Sequence, residues 1–274
     1  PIPATSLIPI ALFPLLGIMH TKSAAAPYAS HLIFLFMGGF IIALAMQRWN
    51  LHRRIAMNIV RVVGFSPGRL IFGFMAATAA LSAFVSNTAT TVMMMPIGLA
   101  IIQHVIAEGR KEGLDRDIDF SPEKFAFGLN LMLGIAYAAS IGGVATLIGT
   151  PPNALLAGYL SSDQGIDIGF AQWMVVGIPV SIAMMAAAWV WLTWGGFELD
   201  NSQSGRDMLK DEMSQLGTLT PAEKRVGAMF LIAAGLWIFR PLLNSAGLDW
   251  LSDAMIAMAI GVALFVIPAG GGRL

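Results

Sequence analysis

Stretches free of charge alternate along this chain with short segments that collect it, and the length of each stretch decides what it can become. A helix that crosses a bilayer needs about 20 mostly apolar residues. Against that length six apolar regions stand out: 5–19, short and broken by Pro9 and Pro14; 32–47; 70–107; 125–160; 170–194; and 226–268, which the segment 244–251 divides into 226–243 and 252–268. Two have the wrong length. No Asp, Glu, Lys or Arg occurs from Ile71 to Val105, so 70–107 is nearly twice one span yet holds no polar loop for an ordinary turn between two. Region 125–160 poses the same problem. Segment 51–63 follows another pattern, with Leu51, Ile55, Ile59 and Val62 recurring between Arg53, Arg54 and Arg61. It predicts an amphipathic helix on the inner membrane surface, although a solvated connector fits the same residues.

Composition turns this pattern into a class. Hydrophobic residues make up 57% of the 274 and charged residues 12%, against roughly 25% charged in an ordinary globular chain, and the mean hydropathy is +0.73. The expectation is an all-α integral membrane protein, multi-pass, in the inner or plasma membrane. The 16 basic and 16 acidic residues balance, which argues against a nucleic-acid partner. With no Cys there are no disulfides, thiolate metal sites or cysteine nucleophiles, and His20, His31, His52 and His104 show no metal-ligand spacing. The chain opens at Pro1-Ile2-Pro3 without Met and stops at Arg273-Leu274 just after an apolar run, and it reads as a partial chain.

Lys and Arg set the expected orientation, because short loops rich in them stay cytoplasmic. Segments 48–69 (Arg48, Arg53, Arg54, Arg61, Arg69), 108–124 (Arg110, Lys111, Arg116, Lys124) and 195–225 (Arg206, Lys210, Lys224, Arg225) read as inside. Segments 20–31, 161–169 and 244–251 hold one Lys between them, Lys22, and read as outside. For 48–69 and 108–124 to lie on one side, 70–107 must leave and return: a re-entrant hairpin.

The dense polar cluster in that hairpin is Ser86-Asn87-Thr88, with Ser82 before it and Thr90-Thr91 after it. Ser, Asn and Thr are strong N-cap residues, so the turn falls here, and the next helix starts with free N–H donors and a positive dipole end that suit an anion. Hydroxyls and carbonyls beside them suit a small hard cation equally well. Small polar residues that merely cap and pack helices are the alternative. In 125–160, Ile148-Gly149-Thr150-Pro151-Pro152-Asn153 cannot continue a helix but can begin one. Unwound backbone at membrane depth must be buried in protein or line a cavity, so a broken helix here points to a site, with a plain proline kink as the alternative. A hairpin and a broken helix together are the parts from which secondary transporters build midplane sites. Neither break holds an ionisable side chain, which favours sodium over protons as the coupling ion.

These residues also resemble a known family. The strings 33–40, Ser82 with Ser86-Asn87-Thr88-Ala89-Thr90, Met94-Met95-Pro96, and Tyr137 through Asn153 are similar to the divalent anion/sodium symporters, carriers of dicarboxylates, citrate and sulfate. The resemblance covers about 30–270 and implies an inverted-repeat transporter fold, a homodimer, and transport domains moving against a fixed scaffold. By it, Ser82, Ser86, Asn87 and the Gly149 carbonyl hold a sodium ion, and Asn87, Thr88, Thr150 and Pro151 face the substrate carboxylate. Since the Ser-Asn-Thr tip and the Thr-Pro-Pro-Asn break each occur once, the resemblance assigns 1–194 to a first repeat, 195–225 to a cytoplasmic connector and 226–274 to the first helices of a second. The second hairpin and second sodium site lie outside the chain, which alone should not transport.

Three functions remain in view at this point. One is sodium-coupled symport of small di- or tricarboxylates such as succinate. Another is an exchanger, or a carrier of sulfate and other inorganic anions. The third is a membrane-embedded enzyme or structural subunit, weakened because the breaks contain no Asp, Glu, His or Cys to act as acid, base or nucleophile.

Overall fold

The computed structural model describes residues 2–111, 119–121, 124–197 and 216–268, and among these there is no strand. The helices are α1 (Ile2–Leu15), α2 (Thr21–Ala25), α3 (His31–Arg48), α4 (Leu51–Val63), α5 (Pro67–Ser82), α6 (Asn87–Lys111), α7 (Ala126–Val144), α8 (Pro151–Gln164), α9 (Phe170–Thr193), α10 (Pro221–Ser245) and α11 (Asp253–Val266), with a 3-10 turn at Ala26–Ala29. The all-α expectation holds. By length and composition, Thr21–Arg48, Asn87–Lys111, Ala126–Val144, Phe170–Thr193 and Pro221–Ser245 are each long and apolar enough to cross a membrane. Exposed Leu44, Val175, Val176, Leu231 and Phe239 suit an apolar neighbour rather than water.

The two overlong regions divide as expected: 70–107 into α5 and α6 across the turn 83–86, and 125–160 into α7 and α8 across 145–150. Elsewhere the boundaries move for physical reasons. The segment 20–31 carries α2 and the 3-10 turn. In the connector, α10 begins at Pro221 rather than 226, because Thr220 and Glu223 form a capping box: Glu223 N–H donates to Thr220 Oγ1 at 3.2 Å and Thr220 N–H to Glu223 Oε2 at 2.7 Å. Its polar first turn hides it from an apolar scan. Arg116, Arg206 and Lys210 lie outside the described residues.

Helix α4 has the expected bounds but a different buried face. Leu51, Ala56, Met57 and Val60 are buried, whereas Val62 is exposed. The buried stripe packs on α5, where a Cβ on Gly73 would stand 3.2 Å from Val60 Cα. Here burial pushes the His52 pKa down, its largest influence, so the ring is neutral at neutral pH; Nδ1 stands 3.1 Å from the Met46 carbonyl. On the other face, Arg54 Nε donates to Glu223 Oε1 at 2.8 Å, and its Nη1 and Nη2 donate to the Gly217 and Leu216 carbonyls at 3.0 and 2.8 Å. That clamp ties α4 to the start of α10.

Two cores result. Residues such as Ile71, Phe74, Met94, Leu131 and Ile135 join α5, α6 and α7 with α4 and α9. Leu35, Ala157, Phe170, Trp237 and Ile256 join α3, α8, α10 and α11 with the start of α9, with Phe170 stacked on Trp237 at 4.7 Å. Beside them the Phe170 N–H donates to Asp253 Oδ2 at 2.9 Å. Arg240 Nε lies 3.1 Å from Asp253 Oδ1, an ion pair whose N–H is not aimed for a hydrogen bond. A cavity of about 410 Å³ opens there, lined by His31, Asp167, Gln172, Arg240 and Asp253, away from the hairpin tip.

Candidate ion and substrate site

The hairpin tip is built by capping. Helix α5 runs out as Phe84 N–H and Val85 N–H both donate to the Leu81 carbonyl, at 3.0 and 2.9 Å. Ser86 then opens α6: its Oγ accepts the Ala89 N–H at 3.3 Å and its carbonyl accepts the Thr90 N–H at 3.0 Å. The N–H groups of Asn87 and Thr88, first and second in α6, have no partner inside the helix. They and the dipole behind them form a pole for an anion.

The tip meets α7 at two glycines. A Cβ on Gly142 would stand 2.4 Å from both Cα and carbonyl oxygen of Ala79, so only hydrogen at that position lets the backbones of α5 and α7 touch. A Cβ on Gly143 would stand 2.4 Å from Asn87 Oδ1. Beyond them α7 ends, and a helix end leaves its last carbonyls without partners, which is unfavourable away from water. Each finds one here. Ser181 Oγ donates to the Ile141 carbonyl at 2.9 Å, Ala145 N–H to Gly142 at 3.0 Å, Asn153 Nδ2 to Gly143 at 2.9 Å and Trp173 Nε1 to Val144 at 2.9 Å. Asn153 Nδ2 also donates to Thr146 O at 2.7 Å, and the buried Thr146 hydroxyl donates to the Ala83 carbonyl, joining the break to the hairpin turn.

At the centre lie three oxygens. Ser82 Oγ stands 2.7 Å from Asn87 Oδ1 and 2.6 Å from the Ala139 carbonyl. One hydroxyl carries one proton, so it satisfies only one of the two acceptors at a time. Three converging oxygens that share one hydroxyl proton keep lone pairs to spare, the environment a small hard cation takes. No ionisable side chain belongs to this set, so a cation here is met by dipoles alone.

The structure brings Ser82, Ser86 and Asn87 together at the tip, while Gly149 packs against Gly143, where a Cβ on Gly149 would stand 2.4 Å from the Gly143 carbonyl oxygen. The remaining expected residues lie at the surface. Thr88 and Pro151 are exposed and Thr150 is half-buried, its side chain making no cap bond to α8. Pro151 and Pro152 carry no N–H, so α8 begins with fewer donors than α6.

The sequence profile described as "Sodium:sulfate symporter transmembrane region" matches residues 1–269. The chain belongs to this family, the divalent anion/sodium symporters. Among its curated relatives, the sodium-dependent dicarboxylate transporter SdcS of Staphylococcus saprophyticus is 43% identical over 277 residues, a match covering 98% of this chain and 51% of the relative. SdcS of Staphylococcus aureus strain USA300 is 42% identical over 278 residues, with the same coverage. The chain thus spans about half the length of the curated relatives it matches. It is a multi-pass membrane segment of a symporter family.

Within this chain, sequence reasoning singled out the polar residues and passed over the atoms that position them. The Ala139 carbonyl, Gly143, Thr146 and Asn153 all lie in the motif strings 137–153, but a carbonyl or a missing Cβ carries no signal of its own until a neighbour is known. The Gly142-Gly143 pair in an apolar helix was the legible hint of close approach.

Proposed function

We propose that this chain is the first half of a sodium-coupled symporter of small dicarboxylates such as succinate. The observation that carries the reading is the trio of Ser82 Oγ, Asn87 Oδ1 and Ala139 O, beside a helix start whose first two N–H groups have no partner inside the helix. Ser82, Ser86, Asn87 and the Gly149 carbonyl hold sodium; Asn87, Thr88, Thr150 and Pro151 face a substrate carboxylate. A dicarboxylate brings two negative charges to a site with no Lys or Arg in either break. A bound cation supplies the missing charge, and that is the physical basis of coupling. The names of the Staphylococcus relatives support the same ion and substrate class.

Residues 1–194 then form a first repeat, 195–225 a cytoplasmic connector and 226–274 the start of a second repeat, in a carrier that works as a homodimer. The exposure of Thr88 and Pro151 suits a pocket completed by the second repeat. In a full-length carrier with succinate outside, replacing sodium by choline at fixed pH stops uptake. An uncoupler at fixed sodium gradient and clamped potential leaves it unchanged. Uptake into sodium-free vesicles driven by a pH gradient, with no counter-substrate inside, would overturn the reading.

The hairpin α5–α6 is read as re-entrant, with its tip against the end of α7 and α8 continuing outward. Helix α6 taken alone is long enough to span, so a direct test is required. The chain has no Cys. In a carrier cleared of other cysteines, Lys111→Cys is protected from an impermeant thiol reagent added outside cells, and Gln164→Cys is labelled. Outside labelling at position 111 would mean that α6 crosses fully.

A further inference from the structure

One side chain next to the proposed sodium ligands has no partner among the described residues. Thr90 is 0% exposed and its Oγ1 makes no hydrogen bond among the described residues. Helical threonines have an obvious acceptor, the carbonyl four residues back. Thr78 uses it, donating to Phe74 O at 2.6 Å; Thr91 donates to Asn87 O at 2.9 Å, and Thr193 to Trp189 O at 2.8 Å. Thr90 does not, although Ser86 O stands near enough to accept its backbone N–H at 3.0 Å. A buried hydroxyl left unpaired is unfavourable, and a bound ion is one of the partners that such groups take.

The helix face says where this hydroxyl sits. Thr90, Met94, Ile97, Gly98 and Ile101 form the buried stripe of α6. That stripe faces α7, since a Cβ on Gly98 would stand 2.5 Å from Met132 Cε and 2.9 Å from Ile135 Cδ1. Asn87 meets the same helix at Gly143, so Thr90 lies one turn along the face that carries Asn87 Oδ1. Side chains three apart on a helix have Cβ atoms about 5–6 Å apart. Opposite oxygens around a hard cation with contacts of about 2.4 Å are about 5 Å apart.

We infer that the Thr90 hydroxyl is a further oxygen of the sodium site, reached by the ion together with Asn87. The inference rests on the sodium reading above and extends it by one residue. When the ion enters, Ser82 keeps its proton on the Ala139 carbonyl, Asn87 Oδ1 is released to the ion, and Thr90 turns its unpaired oxygen toward the same point.

The test uses purified full-length carrier, with sodium chloride titrated against choline chloride at constant ionic strength and thermal stability as the readout, so that binding is measured apart from transport. Thr90→Val keeps the shape and removes the hydroxyl. Without sodium it should melt at or above the parent temperature, because an unpaired buried group has been removed. With sodium, its half-saturation should rise about tenfold, as for one lost contact to a charged group. Thr90→Ser, which keeps the oxygen, should stay within about twofold of the parent. An unchanged half-saturation in Thr90→Val would overturn the inference. So would a Thr90→Val protein that fails to fold, because the hydroxyl would then have a partner within the protein. Asn87→Ala in the same titration separates the two readings. If it loses sodium-dependent stabilisation while Thr90→Val does not, only the role of Thr90 falls; if neither changes, the sodium site falls with it.

Discussion

Asn87→Ala in the full-length carrier abolishes sodium-dependent succinate uptake while the protein still inserts and folds. The side chain has two duties in the proposed site: its Oδ1 is a cation oxygen, and its amide and backbone N–H face the substrate. A contact to a charged group is worth about 1.5–3 kcal/mol, so loss of even one lowers affinity about 10- to 150-fold, and here two charged ligands are affected. The fold has little to lose. Asn87 is half-buried, and after its removal Ser82 Oγ still donates to the Ala139 carbonyl, so no buried donor is orphaned. Radiolabelled succinate uptake in proteoliposomes, normalised to the amount of carrier reconstituted, gives the comparison. Near-normal uptake by the variant removes Asn87 from the site.

Gly142→Ala acts through the backbone and is expected to be the more damaging change to the fold. Its new methyl would arrive 2.4 Å from Ala79 Cα and oxygen, atoms that no rotamer change can move. Helix α5 must then withdraw from α7, at a cost of about 1–3 kcal/mol for an overpacked contact. Ser82, three residues beyond Ala79, goes with it and leaves Asn87 Oδ1 and the Ala139 carbonyl. The expected result is a lower melting temperature, reduced abundance in the membrane, and uptake below the detectable level in what remains. Gly143→Ala separates the two effects. There the nearest atom is the tip of the Asn87 side chain, which can turn away, so the protein should keep most of its stability and lose its sodium response. A Gly142→Ala carrier with parental stability and uptake would show that α5 and α7 are not in contact during transport.

Much of this architecture was written in the linear pattern. Region lengths divided 70–107 and 125–160 at the turns that the helices adopt, because a bilayer sets the length of a span, because Ser86 is a strong N-cap, and because Pro151 and Pro152 can start a helix but not continue one. The 51–63 periodicity located α4 to the residue. The same pattern misjudged its buried face: Val62 is exposed and Met57 is buried, since the neighbour that decides burial is α5 and periodicity names no neighbour. It also began α10 late, as its cap is polar.

For the site the division is sharper. The chain's own residues determined which groups are present: hydroxyls and an amide at one break, Gly, Thr and Pro at the other, and no titratable side chain at either. That is enough to argue for an ion held by dipoles, because local chemistry depends on residue type. Only the tertiary structure decided which of those groups meet. Ser82 is bonded to the carbonyl of Ala139, 57 residues away, and the Thr146 hydroxyl to that of Ala83, 63 residues away. Both contacts depend on two glycines that let α5 and the hairpin tip press against α7. A carbonyl oxygen is the same in every residue, and what makes one of them a ligand is the approach of another segment of chain.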